Sequence, residues 1–294
     1  MNEKKNLAII LGATGNMAFA LANVLIGIKK HSPNISADFI VFENNITESD
    51  KKLLNSIFSI KFIDYKFPLS VENFDKGSLK RFTLLSFSRY ECFKMLDEYK
   101  HVLWLDIDIL IMNDITAILN YAETGLALYR DGGKVGANFT IPIESYDMQK
   151  NYYNAGVMLL DDKFPEYKKI TDWCYQKTVE LAPYLTFADQ GIINIMIQEF
   201  NLNVNILDLR FNSYPSFRKT LKDPVIFHSF CPEKFWNFWN FKEWNENNKK
   251  WIKMGGYPYT GKRVNIVERF FTERNLPNPL TRPRPFFKHL LEKQ

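Results

Sequence analysis

Apolar residues in the first half of the chain form short runs, separated by longer stretches that suit helices. Runs rich in branched and aromatic residues predict strands over residues 7–11, 39–42, 61–65 and 102–107. Helices are predicted over residues 17–30, 48–58 and 79–97, with Thr47 placed to cap the second. This alternation predicts an α/β fold in which a sheet is layered against helices.

The second half of the chain is less regular but still predicts several elements. Strands are predicted over residues 125–129, 157–160 and 225–227, helices over residues 166–181 and 189–198, and a glycine-containing loop over residues 131–134. The last well-patterned segment is residues 246–256, after which prolines become frequent. We therefore predict one domain over residues 1–256 and a distinct tail over residues 257–294.

A long uncharged stretch near the start of the chain allows two interpretations. Residues 7–28 carry no charged side chain and are flanked by lysines, which is also the pattern of a membrane span or a signal peptide. However, Gly12 and Gly15 interrupt the run at its centre. We favour a buried strand followed by a buried helix that ends near Lys29 and Lys30, where positive charge suits the helix dipole.

Composition places the protein among folded, globular chains. Its 294 residues are 46% hydrophobic and 24% charged, so it can build a sizeable core. The net charge of +5 comes entirely from residues 260–294, which hold eight basic and three acidic residues. This local excess does not indicate a nucleic-acid binder. Three unpaired cysteines suggest a reducing compartment, and we expect a cytoplasmic protein.

Two carboxylates interrupt the most apolar segment of the chain, residues 102–110. Asp106 and Asp108 are two residues apart, so in an extended chain both side chains point to the same face. Two carboxylates that lie so close repel each other unless a cation binds between them, and hard oxygen ligands suit Mg²⁺ or Mn²⁺. The alternative is a strand that runs into a turn, with both carboxylates solvated.

Four further segments place polar residues beside predicted strands and helices. They contain Asn154 to Gly156, Asp189 with Gln190, Arg210 to Asn212, and His228 with Lys234. In this order and spacing, and together with the paired carboxylates, they resemble the motifs of glycosyltransferase family 8, which are retaining GT-A enzymes. The bacterial lipopolysaccharide and lipooligosaccharide α-galactosyl- and α-glucosyltransferases are the most similar type. The resemblance covers residues 7–236.

The resemblance implies a Rossmann-like GT-A domain with a mixed, mostly parallel sheet flanked by helices. It implies that Asp106, Asp108 and His228 bind Mn²⁺ or Mg²⁺, and that the catalytic residues at the transferred sugar are Asp189 and Gln190. The nucleotide-sugar donor is expected to contact Ala13, Thr14, Asn16, Arg89, Asp106, Ile107, Asp108, Asp131, Asn154, Ala155 and Lys234.

The family also implies a substrate class. We expect UDP-galactose or UDP-glucose as the donor and a glycan or glycolipid as the acceptor. The chain departs from the family at Thr14, Gly15 and Met17, where acidic and aromatic residues usually hold uracil, and at Cys231, where glycine is usual. These departures leave the base less well defined than the diphosphate.

Retention of configuration can arise by two routes, and the sequence leaves both open. In a double displacement, Asp189 would be the nucleophile. In same-face attack, the leaving diphosphate would take the acceptor proton, and Asp189 and Gln190 would only orient the sugar.

Two other functions compete with hexosyl transfer. Gly12 and Gly15 follow a strand as in an NAD(P)-dependent Rossmann reductase, and Glu43 ends the next strand, but no catalytic Tyr-x-x-x-Lys pair is placed to serve it. The other alternative is a nucleotide-sugar-binding homologue without activity.

The tail alternates basic and aromatic residues, among them Arg269, Phe270, Arg284 and Phe286. We expect it to contact an anionic membrane, at the inner face of the cytoplasmic membrane. The alternative is a solvated, disordered tail.

Overall fold

A seven-stranded sheet forms the centre of the protein, in a computed structural model that describes residues 3–72, 74 and 83–264. The strands along the chain are β1 (Lys5–Thr14), β2 (Asp38–Asn44), β3 (Ile60–Asp64), β4 (Tyr99–Leu105), β5 (Ile109–Ile111), β6 (Leu126–Lys134), β7 (Asn151–Asp161), β8 (Val204–Ile206) and β9 (Ile226–His228). The sheet order is β3-β2-β1-β4-β7-β6-β8, and β5 and β9 form a small separate pair. Among the described strands of the large sheet, only β7 runs antiparallel to its neighbours. The predicted α/β class with a mixed, mostly parallel sheet is confirmed.

Helices cover both faces of this sheet. They are α1 (Ala18–His31), α2 (Glu48–Asn55), α3 (Glu91–Lys94), α4 (Tyr167–Leu181), α5 (Ala188–Glu199) and α6 (Lys242–Lys253). Strand β1 shows why the sheet is buried on both sides: Leu7, Ile9 and Leu11 belong to one hydrophobic core, while Ala8 and Ile10 belong to the other. Successive side chains of a strand point to opposite faces of the sheet, so β1 contributes to both cores.

The uncharged stretch near the start of the chain is β1 followed by a single 3₁₀ turn and α1. Within the described residues, no helix has the length and apolar character needed to cross a bilayer. Helix α1 ends at His31, directly after Lys29 and Lys30, in agreement with the prediction.

Two predicted helices are shorter than expected. Helix α2 ends at Asn55 rather than at residue 58, because the Asn55 side chain accepts a hydrogen bond from the Ile60 amide and the Ser56 hydroxyl donates to the Leu53 carbonyl. The helix predicted over residues 79–97 is described from Leu84, as two 3₁₀ segments on either side of α3. The rest of that prediction lies outside the described residues.

The strands nearest the predicted site have different ends from those expected. Strand β4 stops at Leu105, and Asp106 to Asp108 form a turn rather than a strand, because β5 then pairs with β9 instead of joining the large sheet. Strands β6 and β7 are longer than predicted. They pair through two register shifts, so the predicted loop at residues 131–134 is part of β6, and Asn154 to Gly156 lie inside β7.

The C-terminal part of the described chain packs on the domain. The last well-patterned segment, residues 246–256, largely belongs to helix α6, which begins earlier, at Lys242, and ends at Lys253 before Gly255 with its left-handed φ of 102°. Tyr259 and Val264 pack against the core. Residues 265–294, which hold most of the predicted tail, lie outside the described residues.

Candidate active site

The candidate site lies at the carboxyl end of β4, where the chain leaves the large sheet. Asp106 follows β4 directly, and Ile107 and Asp108 complete the turn before β5. The Asp106 amide donates to the Gly156 carbonyl at 2.8 Å, which ties the turn to β7. Because β5 pairs with β9, His228 at the end of β9 lies opposite Ile109. The fold thereby brings the paired carboxylates and the distant imidazole together, as predicted.

The three predicted metal ligands form a compact group. His228 Nε2 lies 3.1 Å from Asp108 Oδ1 and 3.6 Å from Asp106 Oδ2. One ligand atom from each residue lies within 4.8 Å of the others. Ligand atoms about 2.1 Å from one ion and at right angles are about 3 Å apart, so these spacings suit a small divalent cation. One nitrogen and two carboxylates are also a donor set that Mn²⁺ accepts.

Gly156 leaves space for this group. A Cβ atom at this position would lie 2.1 Å from His228 Cε1 and 2.8 Å from Asp106 Oδ2. Both distances are far below any normal contact, so only glycine permits the observed arrangement. The glycine of the Asn-Ala-Gly segment is thus explained by steric exclusion at the site rather than by a turn.

Two positively charged side chains lie beside the carboxylates. Lys234 Nζ lies 2.6 Å from Asp108 Oδ2 and 2.7 Å from the Ser229 carbonyl. Ser229 in turn donates to the Asp108 carbonyl through both its amide and its hydroxyl. Burial would raise the pKa of Asp108, but Lys234 and His228 more than offset it and hold that pKa well below its usual value.

Arg89 joins Asp106 to Asp189. Its Nη2 donates to Asp106 Oδ1 at 2.6 Å, and its Nη1 is paired with Asp189 Oδ2. The guanidinium carbon lies 5.0 Å from the Trp104 ring centroid, and the Trp104 indole also donates to Asp106 Oδ1 at 2.7 Å. Although burial would lower the pKa of Arg89, Asp106 and Asp189 raise it above its usual value, so the guanidinium stays charged.

Asp189 lies near the start of α5 and is only 4% exposed. Burial raises the pKa of Asp189 to about 6; Arg89 lowers it and Asp106 raises it further. At neutral pH it is therefore a carboxylate, and the Arg89 guanidinium that pairs with it is shared with Asp106.

Helix α5 is fixed to β7 by amide side chains. Gln190 Oε1 accepts from the Ala155 amide at 3.3 Å, and Asn194 forms two hydrogen bonds with the backbone of Tyr153. Asp189 thus joins the site from the helix through Arg89, and Asn154 joins it from the strand through Asn212. Ala155 is buried in the core, where its amide is held by Gln190.

Asp131 is on β6, not in a loop. Its carboxylate accepts from the Tyr152 hydroxyl at 3.0 Å, and the Tyr152 ring covers Gly133, where a Cβ would lie 2.3 Å from ring carbon Cε1. This contact accounts for the continuation of the strand through two glycines, which the sequence pattern did not predict.

The predicted nucleotide-contacting residues lie at the end of β1. Ala13 is buried, Thr14 is half-buried and donates to Asn16 Oδ1 at 2.9 Å, and Asn16 is exposed. Thr14 also lines a cavity of about 460 Å³. Its other lining residues are Asn44, Tyr65, Lys66, Phe67, Leu69, Val71, Thr83, Leu84 and Leu85.

Glu43 is not arranged as in a reductase. A Rossmann reductase uses the acid at the end of this strand to bind ribose hydroxyls. Here Glu43 is 5% exposed, accepts from the Ile46 amide at 2.9 Å and pairs with Lys51 at 2.7 Å. Its carboxylate is already used inside the protein.

Cys231 lies in the loop between His228 and Lys234, at the position where the resemblance implies a glycine. It is half-buried, and burial raises the pKa of Cys231 to about 11, while the nearby Tyr214 side chain lowers it. The thiol is therefore neutral at physiological pH.

Three further residues contact the site but were not predicted from the sequence to have a role: Asn212, Trp104 and Ser229. Asn212 Oδ1 lies 2.8 Å from His228 Nδ1, and Asn212 Nδ2 donates to Asn154 Oδ1 at 3.0 Å. The available signal for Asn212 was its place in the polar segment Arg210 to Asn212, which follows a strand-like run.

Comparison with known proteins identifies a family and a fold. The family model described as "Glycosyl transferase family 8" matches residues 8–240. No curated protein matches the chain. The solved structure of galactosyltransferase LgtC, in complex with donor and acceptor sugar analogs, is 18% identical, has a TM-score of 0.62, and is similar over 84% of this chain and 99% of that one.

Two further solved structures are similar. The bifunctional glycosyltransferase WbbM, in its apo form, is 17% identical with a TM-score of 0.65, over 87% of this chain and 52% of that one. Mouse xyloside xylosyltransferase 1 is 14% identical with a TM-score of 0.51, over 77% of this chain and 98% of that one. These likenesses establish the GT-A fold.

Proposed function

The chain belongs to glycosyl transferase family 8 and is a glycosyltransferase, and on that premise we propose that it transfers a hexose with retention of configuration. The proposed donor is UDP-galactose or UDP-glucose, the acceptor is a glycan or lipooligosaccharide, and the metal is Mn²⁺ or Mg²⁺. The observation that best supports this proposal is the Asp106, Asp108 and His228 group between Arg89 and Lys234.

The charges in this group suit a diphosphate leaving group. A bound divalent cation would stabilise negative charge on the departing diphosphate as a Lewis acid. Without it, Asp106, Asp108 and Asp189 outnumber Arg89 and Lys234 by one charge, and the site would repel a nucleotide. Lys234, now paired with Asp108, is the side chain placed to bind a phosphate oxygen once a cation takes that carboxylate.

Asp189 is better placed to orient the sugar than to attack it. Its carboxylate is buried and paired with Arg89, which lowers its nucleophilicity. We therefore favour same-face attack, in which the leaving diphosphate accepts the proton of the acceptor hydroxyl. Asp189 and Gln190 would then fix the position of the transferred hexose.

The cavity beside Thr14 supports the proposal that the nucleoside part of the donor binds near the end of β1. It lies beyond the carboxyl ends of β1 to β3, where ligands bind in open α/β sheets, and Tyr65 and Phe67 give it aromatic walls. An aromatic side chain there could replace the one that the family places near Asn16.

Nucleotide binding that requires a metal tests the proposed function. UDP at about 100 times its Kd should add about 2.7 kcal/mol to the free energy of unfolding, which corresponds to a rise in Tm of about 5 °C or more. We expect this rise with Mn²⁺ and not with EDTA, and smaller rises with GDP and NADP. Release of UDP from UDP-galactose or UDP-glucose would then separate an active enzyme from an inactive homologue. Stabilisation by NADP without metal would contradict the proposal.

We also propose that the surface around the end of α6 contacts an anionic membrane together with the tail. Residues 247–264 include no acid and five basic residues. Ile252 and Tyr257 in this segment are 44% and 76% exposed. Basic side chains beside exposed apolar ones are typical of surfaces that bind at a lipid interface.

Cosedimentation with vesicles checks this surface. Ile252→Asp should reduce binding to phosphatidylserine-containing vesicles several-fold, because it places a charge among groups that insert into the interface. Ile141→Asp is a matched control, since Ile141 is 45% exposed elsewhere on the molecule. Equal losses in both variants, or no binding by the unmodified protein, would contradict the membrane contact.

A further inference from the structure

Three buried side chains form a hydrogen-bonded chain that ends at the proposed metal ligand His228. Asn154, Asn212 and His228 are 3%, 1% and 2% exposed. Asn154 Oδ1 lies 3.0 Å from Asn212 Nδ2, and Asn212 Oδ1 lies 2.8 Å from His228 Nδ1. These three hydrogen-bonded side chains connect β7 to β9 through the segment that follows β8.

A backbone amide sets the direction of every hydrogen bond in this chain. The Gly156 amide donates to Asn154 Oδ1 at 3.0 Å, and a backbone N–H can only donate. The atom of Asn154 at this position is therefore the carbonyl oxygen, so Asn212 must present its NH₂ group to it. The carbonyl of Asn212 then faces His228, and Nδ1 of His228 must carry the proton.

We propose that Asn212, oriented by Asn154, is a positioning residue that keeps the proton on Nδ1 of His228 and so presents Nε2 to the cation. This inference rests on the proposed metal site. A ligating histidine commonly donates its other ring N–H to an oxygen acceptor, which fixes the ring and the tautomer. Here a neutral carboxamide fills that role, and it adds no charge to a site that already has an excess of carboxylates.

The local structure holds Asn212 in place. Asp208 caps the short 3₁₀ turn that precedes it by accepting from the Arg210 amide at 2.8 Å. The next residue, Ser213, donates to the Ile226 carbonyl and accepts from the His228 amide at 2.7 Å. The backbones of Asn212 and His228 are therefore fixed relative to each other by hydrogen bonds that do not involve their side chains.

The same hydrogen bonds limit which atom of the Asn154 side chain can bind a sugar hydroxyl. Its Oδ1 already accepts from Gly156 and Asn212, so any hydrogen bond from Asn154 to a sugar hydroxyl has to be donated by Nδ2. Asn154 thus links the proposed sugar-binding position to the metal ligand through one side chain.

The test measures binding of Mn²⁺ alone by titration calorimetry or electron paramagnetic resonance. We expect Asn212→Leu to weaken Mn²⁺ binding by about 10- to 100-fold, because the Nδ1 proton loses its acceptor. Asn212→Asp should bind more tightly than Asn212→Leu, because a carboxylate still accepts from Nδ1. Asn247→Leu is the control, because it removes a buried carboxamide that is hydrogen-bonded to Asn23 rather than to a site residue; Asn247 is 3% exposed. It should bind Mn²⁺ normally.

A second measurement needs no variant of Asn212. In ¹⁵N-labelled metal-free protein, the Nδ1 resonance of His228, assigned by its loss in His228→Gln, should be of the protonated type. An unprotonated Nδ1, or unchanged Mn²⁺ affinity in folded Asn212→Leu, would overturn the positioning role. Failure of the unmodified protein to bind Mn²⁺ would instead contradict the proposed function.

Discussion

Asp108→Asn should lower kcat by about 1,000-fold or more and remove the Mn²⁺-dependent stabilisation by UDP. The substitution keeps the shape of the side chain but removes the charge that holds a cation beside His228. A metal that acts as a Lewis acid contributes several kcal/mol to the transition state, and about 4 kcal/mol corresponds to a factor of 1,000. Steady-state release of UDP from the donor, at saturating donor and Mn²⁺, measures the effect.

The matched control for Asp108→Asn is Asp97→Asn. Asp97 precedes β4, at the end of that strand away from the site, and its side chain is 45% exposed beside Lys168. Its loss of charge should change kcat less than about twofold, since exposed ion pairs contribute little. A fully active Asp108→Asn enzyme with unchanged Mn²⁺ dependence would show that the metal, if any, is bound elsewhere.

The pairing of Lys234 with Asp108 gives the Asp108 substitution a second effect, a small loss of stability in the metal-free protein. In the metal-free protein Asp108 accepts from Lys234 at 2.6 Å, so the asparagine variant leaves a half-buried ammonium without its carboxylate. We therefore expect a small loss of Tm in EDTA alongside the large loss of kcat. The contrast between the two effects separates a binding defect from general unfolding.

The large sheet was predictable because local patterns determine most of it. Strand β1 and helix α1 are apolar runs with a glycine break between them, and neither needs a distant partner to be identified. Strands β6 and β7 were predicted too short because polar and glycine residues continue them. Pairing between the two strands, and the Tyr152 ring over Gly133, stabilise segments that would otherwise suggest loops.

Part of the candidate site was likewise predictable from the sequence, and part of it was not. Asp106 and Asp108 were identifiable because charge is unexpected in an apolar run, and a divalent cation is the simplest compensation. Asn212 could not be assigned, because its role depends on Asn154 and His228, which are 58 and 16 residues away in the sequence. The β5 and β9 pair that brings His228 to the carboxylates is likewise a long-range contact between three-residue strands.

Gly156→Ala should be the most damaging single-methyl change near the site. The added Cβ would lie 2.1 Å from His228 Cε1 and 2.8 Å from His228 Nδ1 and Asp106 Oδ2. The imidazole must move by about 1 Å or more to remove the clash, and a displacement of that size costs about 100-fold in rate. Moving the imidazole also breaks the hydrogen bond between His228 Nδ1 and Asn212 Oδ1. We expect kcat and Mn²⁺ affinity to fall at least 100-fold, with about 1–3 kcal/mol lost from the free energy of unfolding.

Gly132→Ala adds the same methyl group where no atom lies within 4 Å, on neighbouring strand β6. It should leave activity, Mn²⁺ affinity and Tm nearly unchanged. The double variant Gly156→Ala/His228→Ala identifies the cause of the damage, because it removes both clashes with His228 and leaves the one at 2.8 Å with the terminal Asp106 Oδ2 atom. If the clash with His228 is responsible, the double variant should be about as stable as His228→Ala alone, while activity stays lost. Additive losses of stability would instead place the damage in the β7 backbone, and the explanation of Gly156 by steric exclusion at the site would be wrong.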